Sequence, residues 1–348
     1  ECHPVIIIDR ELEKRRISGN PILVALVGAG YSGRNIAYQI VNSIPGMRLV
    51  GIANRTLREA RRAYIDAGIE NPVTVESVNG VEDGVRRGQY MVTQDASILC
   101  EAGGIDAVVE ATGEVEYGSI VAKKGIECGK HVIVMNAEMD ATIGPYLKVC
   151  ADRAGVVFSN TDGDEPGVAM NMCRFVRTIG FTPVLAGNLK GFYDCHRTPE
   201  TQREFAEKNR QKPHMMTSFV DGTKLSMELA VLANATGFRV GKRGMYGPRC
   251  NHVKEIPNVF HLEQCLKSGM VDYLLGAEPG TGAFVVGYSD QPVQQQYMKY
   301  LKMGDGPFYV FYTPFHLPHL ELPLTVARAV LFRDATVAPI GKPVCEAV

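Results

Sequence analysis

No run of apolar residues approaches the roughly 18 that a membrane-spanning helix needs, which excludes a transmembrane helix from the reading. No block of basic residues occurs either: Lys and Arg number 37 against 38 Asp and Glu, for a formal charge of −1. A nucleic-acid surface, whose phosphates demand clustered cations, is therefore not expected. The nine cysteines (2, 100, 128, 150, 173, 195, 250, 265 and 345) are scattered, odd in number and contain no C-x-x-C. That pattern argues against a disulfide framework and a zinc knuckle and fits a reducing cytoplasm. No signal peptide is read at the N-terminus, because Val5-Ile6-Ile7-Ile8 is short and Asp9 ends it. Repeats and low-complexity stretches are missing too. What remains is an ordinary soluble, globular composition, 45% hydrophobic and 22% charged over 348 residues, long enough for two domains.

The most informative segment that is present runs from Val24 to Ala37. An apolar run of strand length meets Gly28-Ala29-Gly30-Tyr31-Ser32-Gly33, and an apolar-periodic helix follows. This is the order a dinucleotide-binding turn needs. Gly28 permits the tight turn, Gly30 lets the backbone approach a pyrophosphate, and Gly33 lets helix and strand pack closely. The helix start then offers free N–H groups to phosphates. The next strand, Arg48 to Ala53, ends in Asn54-Arg55 with no carboxylate for a ribose 2′-hydroxyl. Arg55 suits a 2′-phosphate, so NADP(H) is expected over NAD(H), the plainer reading of Arg55 being a solvated strand-end charge.

Strand-like and helix-like segments alternate up to Asn160, which predicts a Rossmann-type, doubly wound parallel sheet covered on both faces. A polar stretch around 70–94 reads as an excursion from that sheet. Past Asp162 the texture becomes α+β, with helices near 167–180, 200–210 and 223–236 and strands near 184–193, 283–289 and 307–313. The expected domains are therefore 1–162 for the nucleotide, 163–319 for substrate and catalysis, and 320–348 for a helix returning to the first domain.

Val108-Val109-Glu110-Ala111-Thr112-Gly113 and Gly129-Lys130-His131-Val132-Ile133 resemble the nucleotide domain of the homoserine dehydrogenase superfamily. Where that superfamily has an Asn-Lys pair, this chain has Asn136 and Ala137. The segments Gly191–Thr198, Met216–Lys224, Ala233–Gly237 and Arg243–Pro248 are similar to the homoserine-dehydrogenase-like proteins usually followed by a SAF domain. Some of these are described as 1-deoxy-D-xylulose 5-phosphate reductoisomerase-like. No SAF domain is expected after Gly341-Lys342-Pro343-Val344. The resemblance implies an NADPH-dependent conversion of 1-deoxy-D-xylulose 5-phosphate to 2-C-methyl-D-erythritol 4-phosphate, an isoprenoid precursor. Alternatives are a homoserine-dehydrogenase-like alcohol/aldehyde oxidoreductase and a non-catalytic NADP-binding regulator. The expected assembly is a homodimer acting on a small phosphorylated substrate, with neither nucleic acid nor membrane as partner.

Such chemistry must polarise a ketone, move a hydroxyl proton and hold developing charge. Lys224 and Glu228 lie one helical turn apart, with Asp221 a candidate N-cap before them, and these three with Asn136 form the expected catalytic set. The competing reading is a capped surface helix with an i,i+4 ion pair. Asp162, Asp164 and Glu165 follow a strand end and are candidate ligands for Mg²⁺ or Mn²⁺, or an acidic capping loop. Lys190, Arg197 and Arg243 are candidates for the substrate phosphate, each alternatively a solvated charge. The expected cofactor-binding residues are Gly28, Gly30, Tyr31, Ser32 and Gly33, then Asn54 and Arg55, then Thr112, Gly113 and Asn136. His316, His319 and Glu321 have metal-like spacing, but Pro314 and Pro318 favour a structural role there.

Overall fold

Ile22–Val27 forms the first strand, β1, and is almost wholly buried, as expected of an unbroken apolar run in a sheet covered on both faces. The computed structural model, which describes residues 7–209 and 211–345, places around it β2 (Met47–Ala53), β3 (Val73–Thr74), β4 (Met91–Thr93), β5 (Ala107–Glu110), β6 (His131–Val134) and β7 (Phe158–Asn160). All pair in parallel, in the order β3-β4-β2-β1-β5-β6-β7. The register sets Val27 opposite Ala53 on one side and Glu110 on the other, so the glycine turn leaves the sheet between two strand ends. That is the switch point at which an open α/β sheet binds ligands. Cys2 and the start of the Val5–Ile8 run lie outside the described residues.

The stretch around 70–94 is not an excursion. It supplies β3, β4 and the helix Val78–Arg86, whose N-cap Ser77 accepts a hydrogen bond from the Gly80 N–H at 3.2 Å. Met91-Val92-Thr93 is a buried apolar triplet, too short to stand out among glycines and charges, and it is pairing with β2 that makes it a strand.

Among the described residues, one compact unit comprises 7–163 and 317–338 and the other 164–316 and 339–345. The second is built on β8 (Thr182–Lys190), β9 (Arg239–Val240), β10 (Met270–Leu275), β11 (Ala283–Tyr288) and β12 (Phe308–Thr313), in the order β12-β11-β8-β10-β9. The strand β10 runs parallel to β8 and β9, whereas β11 is antiparallel to β8 and β12. Helices Glu165–Thr178 and Thr223–Thr236 contribute Val176, Leu225 and Leu229 to one core face; Val253, Ile256 and Leu262 cover the other. The sequence reading missed β10, which carries a fully buried Asp272. Its carboxylate accepts N–H bonds from Tyr246, Gly247 and Tyr273, so the charge that breaks the apolar run is the anchor of a neighbouring turn.

Helix Pro318–Phe332 belongs to the first unit, burying Leu322, Val326 and Ala329 in its core. Residues 339–345 instead belong to the second: Asn234 accepts the Val344 N–H at 2.7 Å and donates to the Cys345 carbonyl at 3.1 Å. No helix among the described residues is long and apolar enough to cross a membrane.

Candidate functional site

The glycine turn is shaped by close approach. Gly28 has φ +102°, and a Cβ on it would lie 2.5 Å from the Ala111 carbonyl oxygen. A Cβ on Gly33 would overlap the Gly28 carbonyl, whereas one on Gly30 would meet nothing within 4 Å. Open space at Gly30, the N-cap of helix Tyr31–Ser43 with no side chain capping it, fits a dinucleotide phosphate. Arg55 is exposed just beyond the end of β2. Asn54 braces the turn: its Oδ1 accepts the Ala29 N–H at 3.0 Å and its Nδ2 donates to the Thr56 carbonyl at 3.0 Å.

Three expectations for this unit need revision. Thr112 turns its N–H and hydroxyl inward onto Glu110 Oε1, so neither faces a ligand. Asn136, expected in catalysis and in cofactor binding, is a helix cap. Its Oδ1 accepts the Met139 N–H at 3.1 Å and its Nδ2 donates to the Glu114 carbonyl at 3.0 Å, leaving no group to move a proton. Asp162, expected among metal ligands, is buried and saturated by Arg328 Nη1 at 2.8 Å and by the hydroxyls of Thr325 and Thr336 at 2.9 and 2.7 Å. Gly113 is exposed with φ +70°, Ser32 is half-buried, and the exposed Tyr31 ring meets His319 edge-on at 5.6 Å.

In the second unit Asp164 and Glu165 open helix Glu165–Thr178, with Pro166 in its first turn where a missing N–H costs nothing. They meet Glu228 from helix Thr223–Thr236, one ligand oxygen from each lying within 4.8 Å of the others. Lys224 threads this group, its Nζ 2.9 Å from Glu228 Oε1 and 3.8 Å from Asp164 Oδ2. Glu228 is only 2% exposed and Lys224 18%, so this i,i+4 pair is interior and not a solvated face. Asn188 on β8 donates to Glu228 Oε2 at 3.0 Å, and its buried Oδ1 has no partner. His316 Nε2 lies 3.6 Å from Glu165 Oε1, and its Nδ1 is 3.2 Å from the Thr281 hydroxyl.

Burial raises Glu165 well above the usual carboxylate range, and the charges of Glu228 and Asp164 push it further. Glu228 is also raised by burial, against the pull of Lys224. Burial works the same way on Asp164, but Lys224, Glu165 and His316 together hold it below the ordinary value. His316 is lowered by burial. The site therefore sets one carboxylate held below its ordinary range and a half-buried ammonium beside two carboxyls pushed upward, a divergence of the kind that separates acid from base roles.

The other predicted residues lie apart from this cluster's contacts. Asp221 is not the N-cap; Gly222 is, with φ +94°, while Asp221 accepts the Thr223 N–H at 2.9 Å and is no partner of Lys224. Arg197 is held by Asp194 at 3.0 Å and lies over the Phe192 ring, and Arg243 is exposed. Lys190, half-buried at the end of β8, acts electrostatically on Glu165, Glu228 and His316. Asn188 and Thr281 were not read from sequence, and His316 was read there as structural. His316 had a signal in its spacing, but Pro318 starts helix Pro318–Phe332 instead of disrupting one, and His316 and His319 fall in different units.

Residues 163–322 match the family model described as the catalytic domain of oxidoreductase DRL, a span containing Asp164, Glu165, Lys224, Glu228 and His316. No curated protein matches the chain. Similar solved structures include a homoserine dehydrogenase from Thiobacillus denitrificans, at 20% identity and TM-score 0.44, over 63% of this chain and 49% of that one. A biliverdin reductase from Synechocystis sp., solved with biliverdin and NADP⁺, aligns at 16% identity and TM-score 0.34 over 50% of this chain and 48% of that one. A myo-inositol dehydrogenase from Lactobacillus casei, solved with NAD(H) and myo-inositol, aligns at 15% identity and TM-score 0.35 over 52% and 49%. The chain spans about half the length of the homoserine dehydrogenase. An oxidoreductase is the class that the matched catalytic region supports, beside a parallel α/β unit with a dinucleotide-type turn.

Proposed function

We propose that the protein is an NADPH-dependent reductase of a small phosphorylated hydroxy-ketone, and that the reaction is the reductive isomerisation of 1-deoxy-D-xylulose 5-phosphate to 2-C-methyl-D-erythritol 4-phosphate. The observation that carries this reading is the buried Lys224–Glu228–Asp164–Glu165 cluster inside the region matched by an oxidoreductase catalytic-domain model.

When bound, the nicotinamide supplies hydride. Gly28, Gly30 and Gly33 would seat its pyrophosphate, and Arg55 would take the 2′-phosphate. Lys224 donates a proton to the substrate carbonyl oxygen as charge develops there, with Asp164 Oδ2 3.8 Å from its ammonium. Glu165 and Glu228, both raised by burial, would accept and return the hydroxyl proton of the isomerising carbon skeleton. The clustered carboxylates with the unpartnered Asn188 oxygen are a hard-oxygen donor set, and Asp164, Glu165 and Glu228 would hold Mg²⁺ or Mn²⁺ to clamp adjacent substrate oxygens. Besides Lys224, Lys190 is the lysine that acts on Glu165 and Glu228, and it is the first choice for substrate phosphate.

A second reading, simple alcohol/aldehyde oxidoreduction, is favoured by the 2.9 Å Lys224–Glu228 pair, which can protonate a carbonyl with no cation present. NADPH consumption with 1-deoxy-D-xylulose 5-phosphate and with aspartate semialdehyde, each with EDTA or with added Mg²⁺ or Mn²⁺, separates the two. Turnover of the ketose that EDTA abolishes and metal restores is expected. Turnover of the semialdehyde alone would replace the first reading by the second.

A further inference from the structure

The carboxyl edge of the parallel sheet holds two buried acids that the reaction above does not use. Glu110 closes β5 and is fully buried; Oε1 accepts the Thr112 N–H at 2.8 Å and the Thr112 hydroxyl, while Oε2 has no partner. Asp140 lies in the first turn of helix Ala137–Ala154 and is equally buried. Its Oδ2 accepts the Asn160 amide at 3.0 Å, and Oδ1 has no partner and fills the space a side chain on Gly144 would need. Asn136 joins the two: its carbonyl accepts the Asp140 N–H at 3.1 Å, and its amide and the Glu110 carboxyl both lie 3.0 Å from where a Gly118 Cβ would be. Among the described residues neither acid is paired with a lysine or arginine.

Their position gives them a purpose, on the reading that this unit binds a nicotinamide dinucleotide. The glycine turn follows β1, and Arg55 marks the adenosine side at the end of β2. The sheet order puts β5, β6 and β7 on the other side of β1. A dinucleotide laid across the β1 turn has its second nucleoside over those strand ends, the half of the edge where Glu110 and Asp140 lie. The nicotinamide ring is a cation when oxidised and neutral when reduced. Buried carboxyls without a counter-cation ionise at a cost, and a cationic ring is the charge they lack.

We propose that Glu110 and Asp140 read the charge of the nicotinamide ring, so that the oxidised dinucleotide binds with release of a proton from this pair and the reduced dinucleotide binds without it. Burial supplies the proton to be released: it raises Glu110 against the hydrogen bonds from Thr112 and Asn136, and lifts Asp140 to about 7 against the one from Asn160. Other titratable groups on the packed elements include Glu116 and Tyr117 on the helix Val115–Glu127, Glu138 on the helix Ala137–Ala154, and His319 and Glu321 on the helix Pro318–Phe332. Glu321 is also raised by burial to about 7, so Tyr117, His319 and Glu321 enter the test.

The test measures dissociation constants of the full chain for NADP⁺ and NADPH from pH 5.5 to 8.5, with calorimetry of each in two buffers of different ionisation enthalpy. The 2′-phosphate titrates in both nucleotides and cancels in the ratio of the two constants. Affinity for NADP⁺ relative to NADPH is expected to rise with pH, approaching tenfold per unit around neutrality, with proton release seen only for NADP⁺. The isosteric double variant Glu110→Gln, Asp140→Asn should flatten the ratio, whereas His319→Asn, Tyr117→Phe and Glu321→Gln should leave its slope intact. A flat wild-type ratio, which needs no variant to fold, overturns the proposal alone, and so does a slope that survives the double substitution. Binding of neither nucleotide at any pH overturns the nucleotide reading, and this proposal with it.

Discussion

Lys224 Nζ sits 2.9 Å from Glu228 Oε1, one turn along the same helix, with Glu228 only 2% exposed. At a helix start the backbone dipole disfavours a cation. The ammonium is held there by two buried carboxylates, Glu228 and Asp164, and not by the exposed-face pairing that i,i+4 spacing alone suggests.

Replacing Lys224 by Met roughly preserves length and apolar volume and removes the charge. The expected result is a fall in kcat of about 10²-fold or more with nucleotide affinity little changed, since the residue belongs to the carboxylate cluster and not to the glycine turn. Steady-state kinetics with direct NADPH titration checks it, and near-normal kcat in a folded variant would return Lys224 to a structural role.

Gly33→Ala places a Cβ on the Gly28 carbonyl, a backbone atom that has no flexible way to yield. The turn must open, so nucleotide affinity should drop at least tenfold and thermal stability should fall. Gly30→Ala, whose Cβ points into open space, should keep the melting temperature while still weakening the nucleotide. Equal melting losses for both would contradict this account of the turn.

Arg55→Asp puts a carboxylate where a 2′-phosphate is expected and no acid now stands. NADPH affinity should fall tenfold or more while NADH affinity holds or improves. Fluorescence titration of both nucleotides decides it, and wild-type protein binding NADH as tightly as NADPH would overturn the assignment of Arg55.

Asp140 gives a stability prediction whose sign is fixed by its direction of shift. Its carboxyl is raised from 3.8 to about 7, chiefly by burial, so its contribution is fully present below pH 4 and is lost as pH rises through 7. Asp140→Asn removes that loss, and the variant should become more stable relative to wild type by roughly 1.4 kcal/mol for each pH unit across that window. Denaturant unfolding at pH 5 and pH 8 measures it; parallel curves for the two proteins would show that Asp140 is ionised throughout.

Elements carried by contiguous residues are legible in the sequence. The strand–glycine–helix order from Val24 to Ala37 reads directly as β1, its turn and the helix Tyr31–Ser43, because tight turns and close backbone approach leave a local demand for glycine. The missing acid at Asn54-Arg55 is legible for the same reason. Lys224 and Glu228 are paired by their spacing, which a helix fixes at one turn. The residues that sequence misplaces are those whose partners lie far along the chain.

Asp162, Asp164 and Glu165 look equivalent as one acidic run. Tertiary structure separates them, because Arg328, Thr325 and Thr336 claim Asp162 from well over a hundred residues away while Lys224 and Glu228 meet Asp164 and Glu165. Asn188 joins the site only through the packing of β8 against the helix Thr223–Thr236, and His316 only through its approach to Glu165, well over a hundred residues earlier in the chain. The sequence by itself determined the parallel α/β unit, its nucleotide-type turn and the residue types available for chemistry, since periodicity and backbone conformation are properties of neighbouring residues. Only the tertiary structure decided which of those groups are buried together and which keep a proton, because desolvation and charge pairing depend on atoms brought together through space.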